Sequence, residues 1–272
     1  MSARLLRRGA AELVVALLAS GCLPWSAVVA PPGASASVGT ASRGVVLGAV
    51  ELSGEGPHHR CYHRRAMRYG TAELVGLVER AASKVAAAHP DAILYVGDLS
   101  AETGGAQPGH ASHESGRDVD FAFFVADPSG LGLEGYPVTR FDRFGAGLAQ
   151  AGDRALRFDS GRNWALVEAL LGDEVAEVQW IFASDGVKAL LLQWAIGHDR
   201  DPGTISRAVD VIRQPGDSAP HDDHFHVRIY CPPSAGAGCV DVGPVWPWLK
   251  GRAPAVPAIS DADLAKMVLE GL

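Results

Sequence analysis

The stretch HDDHFHVRIYC, residues 221–231, constrains the fold most strongly because its side chains alternate between polar and apolar. In a β-strand successive side chains point to opposite faces, so one face would carry His224, His226 and Arg228. The other face would carry phenylalanine, valine and isoleucine, which belong in a core. The pattern therefore predicts a strand that buries one face and presents two imidazoles together on the other.

A second polar cluster lies upstream, in GHASHESGRDVDF at residues 109–121. It contains His113 and Asp120 in an H-x6-D spacing, and Gly116 between them permits the chain to turn. Neutral imidazole and carboxylate are good zinc ligands, and a catalytic zinc commonly takes three protein ligands and a water. Together with the strand above, these residues predict a zinc site formed by His113, Asp120 and His226.

Each half of this site also has a simpler structural interpretation. A His-x-His pair on a strand is commonly a surface or structural pair, and H-x6-D alone is a weak signal. The zincin pattern H-E-x-x-H is absent from the sequence. The metal interpretation is favoured because five of the ten histidines fall in these two windows. Each window also contains carboxylates and adjoins an apolar strand pattern.

The rest of the chain combines helical and strand patterns without a regular alternation of the two. Apolar spacing predicts helices at 71–89, 161–172, 185–198 and 202–213, and strands at 92–98, 118–125, 178–184 and 224–231. The strict β-α-β rhythm of a doubly wound fold is absent, and the last strand is half exposed. We therefore predict an α+β domain with a mainly antiparallel sheet flanked by helices, and a zinc site in a cleft on that sheet.

The N-terminus predicts export to the cell envelope, in the periplasm. Residues 1–22 combine arginines, a short apolar run and small residues, which is the layout of a secretory signal. The ending ASGC is similar to a bacterial lipoprotein box with Cys22 as a possible lipid anchor, and cleavage after Ala36 is the alternative. Composition divides the remainder into an Ala/Pro/Ser/Gly-rich linker at 23–44, a catalytic domain at 45–252, and a C-terminal tail with a short helix at 253–272.

The charge and the cysteine content argue against two further classes, nucleic-acid-binding proteins and zinc sites built from cysteines. The formal net charge is -7 and there is no basic stripe, which argues against a nucleic acid partner. The chain has no C-x-x-C pair, so a zinc site built from thiolates is not expected. Cys231 and Cys239 bracket a short loop and are the expected disulfide in an oxidising compartment, which leaves Cys61 over.

The segments GHASHESGRDVD and HDDHFHVRIYCP resemble the penicillin-insensitive murein endopeptidases, zinc peptidases related to the D-alanyl-D-alanine peptidases and dipeptidases. The likeness extends to RRAMRYGTAELV and LYVGDLSAETGG and covers roughly residues 61–232. It implies an exported zinc endopeptidase whose partner is peptidoglycan, in which it cuts D-alanyl–diaminopimelate cross-links. The family's Zn²⁺ ligands match His113, Asp120 and His226, and His110 matches a further histidine at the metal site.

The resemblance also implies roles for the residues around the metal. His221 and His224 match two catalytic histidines, and we expect His221 to be the general base and His224 to stabilise the oxyanion, with the exchanged roles as the alternative. Apart from the resemblance, their positions in the sequence make Asp98 and Asp118 candidates for carboxylates that orient the ligand histidines, with a loop cap and a solvated position as their respective alternatives. The family's second metal site has no counterpart, because DSGRNW at 159–164 lacks the histidine.

Two other functions fit the same residues. A D,D-carboxypeptidase or dipeptidase would use the same zinc chemistry on peptidoglycan stem peptides, in a cleft closed at one end by loops such as 99–109 and 126–160. A non-catalytic relative would bind metal or the cell wall without cleaving it. The complete ligand set together with His221 and His224 favours an enzyme.

Overall fold

The computed structural model describes residues 34–63, 65–148, 154–216 and 218–252. Its helices are α1 (Ala72–Ala88), α2 (Ser160–Leu171), α3 (Asp185–Gly197) and α4 (Pro202–Val211). Its strands are β1 (Ala36–Thr40), β2 (Arg43–Leu47), β3 (Val50–Glu51), β4 (His59–Cys61), β5 (Tyr69–Gly70), β6 (Leu94–Val96), β7 (Asp118–Ala122), β8 (Val125–Ala126), β9 (Gly132–Leu133), β10 (Ala146–Leu148), β11 (Ala155–Phe158), β12 (Val178–Phe182), β13 (Ile212–Arg213) and β14 (His224–Ile229). Within these ranges no helix has both the length and the apolar character needed to cross a bilayer.

Helices are confirmed at the four predicted positions, although Ile212 and Arg213, predicted as the end of the last helix, form β13 instead. Each helix begins at a side chain that caps its first turn. The Thr71 hydroxyl accepts a hydrogen bond from the backbone N–H of Leu74 at the start of α1. Asp159, Ser184 and Asp201 accept the equivalent bonds at the starts of α2, α3 and α4. Such caps satisfy backbone donors that have no partner within the helix, and they fix the residue at which each helix starts.

The main sheet has six strands in the order β13-β12-β14-β7-β6-β4, and it is mixed. Its three central pairings are antiparallel, whereas β4 pairs with β6 and β12 pairs with β13 in parallel at the two edges. The prediction of a mainly antiparallel sheet was therefore wrong, although the α+β class is confirmed. The parallel pairs arise because α1 returns the chain between β4 and β6, and α3 and α4 do so between β12 and β13.

One face of this sheet belongs to the hydrophobic core and the other carries polar side chains. Phe225, Val227 and Ile229 of β14 are buried in a single cluster that also contains the apolar faces of the four helices. The alternate residues of β14 lie on the opposite face, opposite Asp118 and Asp120 of the neighbouring strand β7. The alternation predicted for residues 224–231 is thus confirmed, and it determines which face of the sheet carries the polar side chains.

Part of the segment predicted as a linker is folded. Strands β1 and β2 form an antiparallel hairpin within residues 36–47, with Gly39 opposite Gly44. A side chain at Gly44 would lie 2.4 Å from the carbonyl oxygen of Val38, so a small residue is required there by close packing. Here the small residues that suggested a flexible tether serve close backbone approach instead. The hairpin supports the loop before β7, because the Glu114 carboxylate accepts the Gly44 N–H at 3.1 Å.

The expected disulfide is confirmed between Cys231 and Cys239, and among the described residues Cys61 forms none. The bridge holds the chain after β14 close to the buried Arg117, whose guanidinium lies 2.9 Å from a carboxylate oxygen of Asp241. The proposed signal at 1–22, the Cys22 anchor and the C-terminal helix lie outside the described residues.

Candidate metal centre and active site

The register of two neighbouring strands brings the distant halves of the predicted site together. In the pairing of β14 with β7, His226 lies directly opposite Asp120, and Arg228 lies opposite Asp118. Directly paired residues on one face of an antiparallel sheet have their side chains close together. The H-x-H strand and the H-x6-D segment thus supply adjacent side chains, although about a hundred residues separate them in the sequence.

The loop before β7 carries His110 and His113 to the same place. Gly116 has a φ of 72°, as its proposed role in the turn requires, and a Cβ there would lie 2.9 Å from the side chain of Val46. His113 itself has a φ of 68°, a left-handed conformation that costs a non-glycine residue about 1–2 kcal/mol. Backbone strain of this kind is concentrated at functional sites, where the surrounding structure enforces it.

Three predicted residues, His110, His113 and Asp120, form a cluster that could hold a metal ion, with ligand atoms within 4.8 Å of one another. The Nδ1 of His113 lies 2.5 Å from the Leu99 carbonyl, to which it donates, so in the neutral form of the ring Nε2 carries the lone pair. That Nε2 lies 3.3 Å from Asp120 Oδ1, and both atoms are buried without a hydrogen-bond partner among the described residues. A metal ion between them would satisfy both atoms, so the donor set fits a cation.

The electrostatics of the cluster favour positive charge. Burial lowers the pKa of His113, but the Asp120 and Asp118 carboxylates outweigh it and raise that pKa to about 9. Burial likewise opposes ionisation of Asp120, yet the neighbouring His113 holds the pKa of its carboxyl well below the usual range. A buried pair of carboxylates with this preference for a cation is typical of a metal-binding pocket.

His226 faces the cluster with one ring nitrogen and a carboxylate with the other. Its Nε2 lies 2.9 Å from Asp118 Oδ1, whereas its Nδ1 lies 3.8 Å from Asp120 Oδ1. Burial, followed by the nearby His113, lowers the pKa of His226 to about 4, so its imidazole is neutral and able to act as a ligand. His226 therefore stands beside the tight cluster, in which His110 is the third member.

Asp118 is fully buried, and its carboxylate contacts two of the predicted zinc ligands. Its Oδ1 accepts from His226 and, at 2.7 Å, from the Nε of Arg228, and its Oδ2 accepts the backbone N–H of His113 at 3.3 Å. Burial opposes its ionisation, but Arg228 and His226 hold the pKa of the Asp118 carboxyl well below the usual range. One carboxylate thus orients two of the predicted zinc ligands.

We expect Asp118→Asn to weaken metal binding by roughly 10- to 100-fold, because its amide would turn a donor toward the N–H of His113 or toward His226 and Arg228. Affinity is measured by titration with Zn²⁺ against a competing chelator. Asp91→Asn, at an exposed position, is the matched control. Wild-type affinity in the Asp118 variant would show that the ligands keep their orientation without this carboxylate.

Asp98 makes a similar contact on the other side of the cluster. Its Oδ2 lies 2.9 Å from the Nε2 of His110, and its Oδ1 lies 2.9 Å from the Nδ1 of His63. Burial opposes the ionisation of Asp98, while His110 and His63 lower its pKa. The structure thus places Asp98 between two histidines, of which His63 was not predicted from the sequence.

The two predicted catalytic histidines lie at the edge of the cluster. The ring of His221 is 5.1 Å from that of His224 and 5.9 Å from that of His226, and its buried Nδ1 has no hydrogen-bond partner among the described residues. His224 lies with its Nδ1 2.5 Å from Asp223 Oδ1 and its Nε2 3.8 Å from Asp120 Oδ1. Burial and the nearby His224 lower the pKa of His221. Burial opposes protonation of His224, but Asp223 and Asp120 raise its pKa.

Two residues beside the site, Tyr62 and His63, follow the three-residue strand β4. Their side chains have no spacing relation to either motif, and a strand of three residues is too short to show periodicity. Only the fold brings them next to Asp98 and Asp120.

Comparison with known proteins gives a consistent result. Residues 37–247 match the family described as penicillin-insensitive murein endopeptidase. The chain is 29% identical over 247 residues to the penicillin-insensitive murein endopeptidase of Escherichia coli (strain K12), with 83% of each chain covered. Proteins of the same name from Shigella sonnei (strain Ss046) and Shigella flexneri serotype 5b (strain 8401) match over the same length with the same identity.

Proposed function

The chain belongs to the penicillin-insensitive murein endopeptidase family and is a peptidase, and we propose that it hydrolyses D-alanyl–meso-diaminopimelate cross-links of peptidoglycan with the help of Zn²⁺. One observation carries the chemical part of this proposal. The Nε2 of His113 and the Oδ1 of Asp120 are buried and 3.3 Å apart, and neither has a hydrogen-bond partner in the part of the chain that the structure describes, which is an arrangement suited to a shared metal ion.

We assign His113, Asp120 and His226 as the residues that would hold Zn²⁺, with His110 as a further ligand or close neighbour. Imidazole nitrogens and a carboxylate oxygen are the donor types that zinc prefers over harder cations such as Mg²⁺. His226 would bind through Nδ1, since its Nε2 is held by Asp118. When bound, zinc lowers the pKa of a water molecule and polarises the carbonyl under attack.

The two histidines at the edge of the cluster would then move the protons. His221 accepts a proton from the attacking water, since its buried Nδ1 has no partner among the described residues. His224 donates a hydrogen bond from Nε2 to the carbonyl oxygen as that oxygen gains negative charge, while Asp223 holds its Nδ1. The substrate peptide would lie in a cleft on the polar face of the main sheet.

Export is part of the proposal and is supported by the sequence of residues 1–22, which has the layout of a secretory signal. A peptidase acting on peptidoglycan must meet its substrate outside the inner membrane. The Cys231–Cys239 disulfide agrees with an oxidising compartment. Attachment through a lipid on Cys22 would keep the enzyme near the wall.

We expect the purified protein to convert cross-linked muropeptide dimers into monomers, and a chelator to stop the reaction until Zn²⁺ is returned. Mass spectrometry of the products gives the position of the cut. Loss of a terminal D-alanine with intact dimers would instead identify a D,D-carboxypeptidase. Zinc binding without cleavage of any muropeptide would identify a wall-binding protein and contradict the proposal.

A further inference from the structure

A row of three side-chain positions crosses the sheet next to the metal cluster. Val96 of β6 pairs with a residue of β4 on one side and of β7 on the other. The adjoining positions on the three strands are Tyr62, Gly97 and Asp120, which point to the opposite, polar face. Backbone hydrogen bonds fix this row. The Tyr62 N–H donates to the backbone carbonyl of Val96 at 3.0 Å, and the Gly97 N–H donates to the backbone carbonyl of Asp120 at 2.8 Å.

The middle position of the row lacks a side chain, and the phenol of Tyr62 occupies the space. A Cβ on Gly97 would lie 2.9 Å from the hydroxyl oxygen of Tyr62 and 3.0 Å from the Cβ of Asp120. Any larger residue at this position would push the phenol away from the metal ligand. Glycine here therefore lets a tyrosine from the sheet edge reach across one strand to the side of Asp120.

The Tyr62 hydroxyl lies over Gly97, next to Asp120, and is available as a donor. Its ring is half-buried and packs edge-on against His63, with 4.5 Å between the ring centroids. No hydrogen bond to this hydroxyl is formed within the described residues. A phenol ionises only near about pH 10, so Tyr62 keeps its proton at neutral pH.

We propose that the Tyr62 hydroxyl donates a hydrogen bond to the substrate oxygen that becomes negatively charged during peptide hydrolysis, a role that rests on the proposed function. Water adds to the carbonyl carbon, the C–N bond breaks, and the amine leaves with the proton taken up by the base. Tyr62 keeps its own proton throughout and only stabilises the charge. In the sheet, β7 with Asp120 lies between β14, which carries His224, and the strands that lead to Tyr62 and Gly97.

The variant Tyr62→Phe tests this role, because it removes only the hydroxyl. Loss of one donor to an oxyanion should lower kcat by roughly 10²- to 10³-fold. KM for the muropeptide dimer should stay within about twofold, because the bond forms fully only in the transition state. A phosphinate analogue of the scissile amide carries the tetrahedral, charged oxygen, and calorimetry should show its affinity falling by a similar factor.

Two controls separate this role from a structural one. Tyr69→Phe removes a hydroxyl from β5, which lies outside the six-stranded sheet, and should leave kcat and phosphinate affinity unchanged. Zinc content, measured by mass spectrometry on purified Tyr62→Phe, should equal that of the wild type.

The possible results distinguish this inference from the function on which it rests. Wild-type kcat and phosphinate affinity in Tyr62→Phe, with an active wild-type enzyme, would overturn the inference alone. Loss of zinc from the variant would also overturn it and would make Tyr62 a support for the ligands. A wild-type protein that leaves muropeptide dimers intact would refute the proposed function and this role with it.

Discussion

His113→Ala should purify without its metal and should leave cross-linked muropeptides intact. His113 is buried, its Nε2 lies 3.3 Å from Asp120 with no other partner within the described ranges, and its Nδ1 already donates to the Leu99 carbonyl. Removing the imidazole leaves the Asp120 carboxylate buried beside a gap, with no neutral nitrogen to share a cation. We expect zinc content below detection and activity equal to that of the chelated wild type.

The backbone conformation of His113 suggests a second variant, which separates loss of the metal ligand from a failure to fold. His113 adopts a φ of 68°, which glycine adopts without steric penalty. His113→Gly should therefore fold at least as readily as His113→Ala and still lose zinc and activity. Circular dichroism reports the fold, mass spectrometry the metal, and muropeptide digestion the activity.

The matched control is His198→Ala, which removes an exposed imidazole at the end of α3. It should retain zinc and activity. If both His113 variants retained zinc and digested muropeptides normally, the metal would have to be held by other residues.

The sequence predicts those parts of the fold that depend on local pattern. The strand around His226 is six residues long and fully alternating, so the alternation alone assigns its two faces. The helices are located by the spacing of their apolar residues, and in the structure capping side chains such as Thr71 fix where they start. The edge strands β4 and β13 are three and two residues long, and their parallel pairing depends on helical crossovers. A segment of two or three residues carries no sequence pattern that indicates parallel pairing. The sheet was therefore predicted as mainly antiparallel, although it is mixed.

The candidate site shows the same division. Spacing and residue type identified His113, Asp120 and His226 as belonging together, and the register of β14 on β7 makes His226 and Asp120 direct neighbours. Spacing could not show that Asp118 would occupy one nitrogen of His226, because this depends on which way each ring turns. Tyr62 could not be predicted from the sequence for a different reason. Its position beside Asp120 depends on Gly97, which lies between them and has no side chain.

The second large effect is expected for His221→Ala, which should keep zinc but lose roughly 10²- to 10⁴-fold in kcat as a general base is removed. His221 makes none of the contacts that orient His113 or Asp120, and the nearest ligand ring, that of His226, is 5.9 Å away from its own. Metal content and thermal stability should therefore stay close to the wild type. His198→Ala again serves as the control for removal of an imidazole.

The pH profile separates this role from a structural one. Burial and the nearby His224 lower the pKa of His221, while Asp120 and Asp223 oppose that shift. A base works when deprotonated, so the wild-type kcat/KM should fall on the acid side only below about pH 6.5, the ordinary pKa of histidine. His221→Ala should lose this acid limb, whereas His224→Ala should lower the plateau and keep the limb. If His224→Ala is the variant that removes the limb, the two histidines exchange roles. If neither removes it, a group outside this pair accepts the proton.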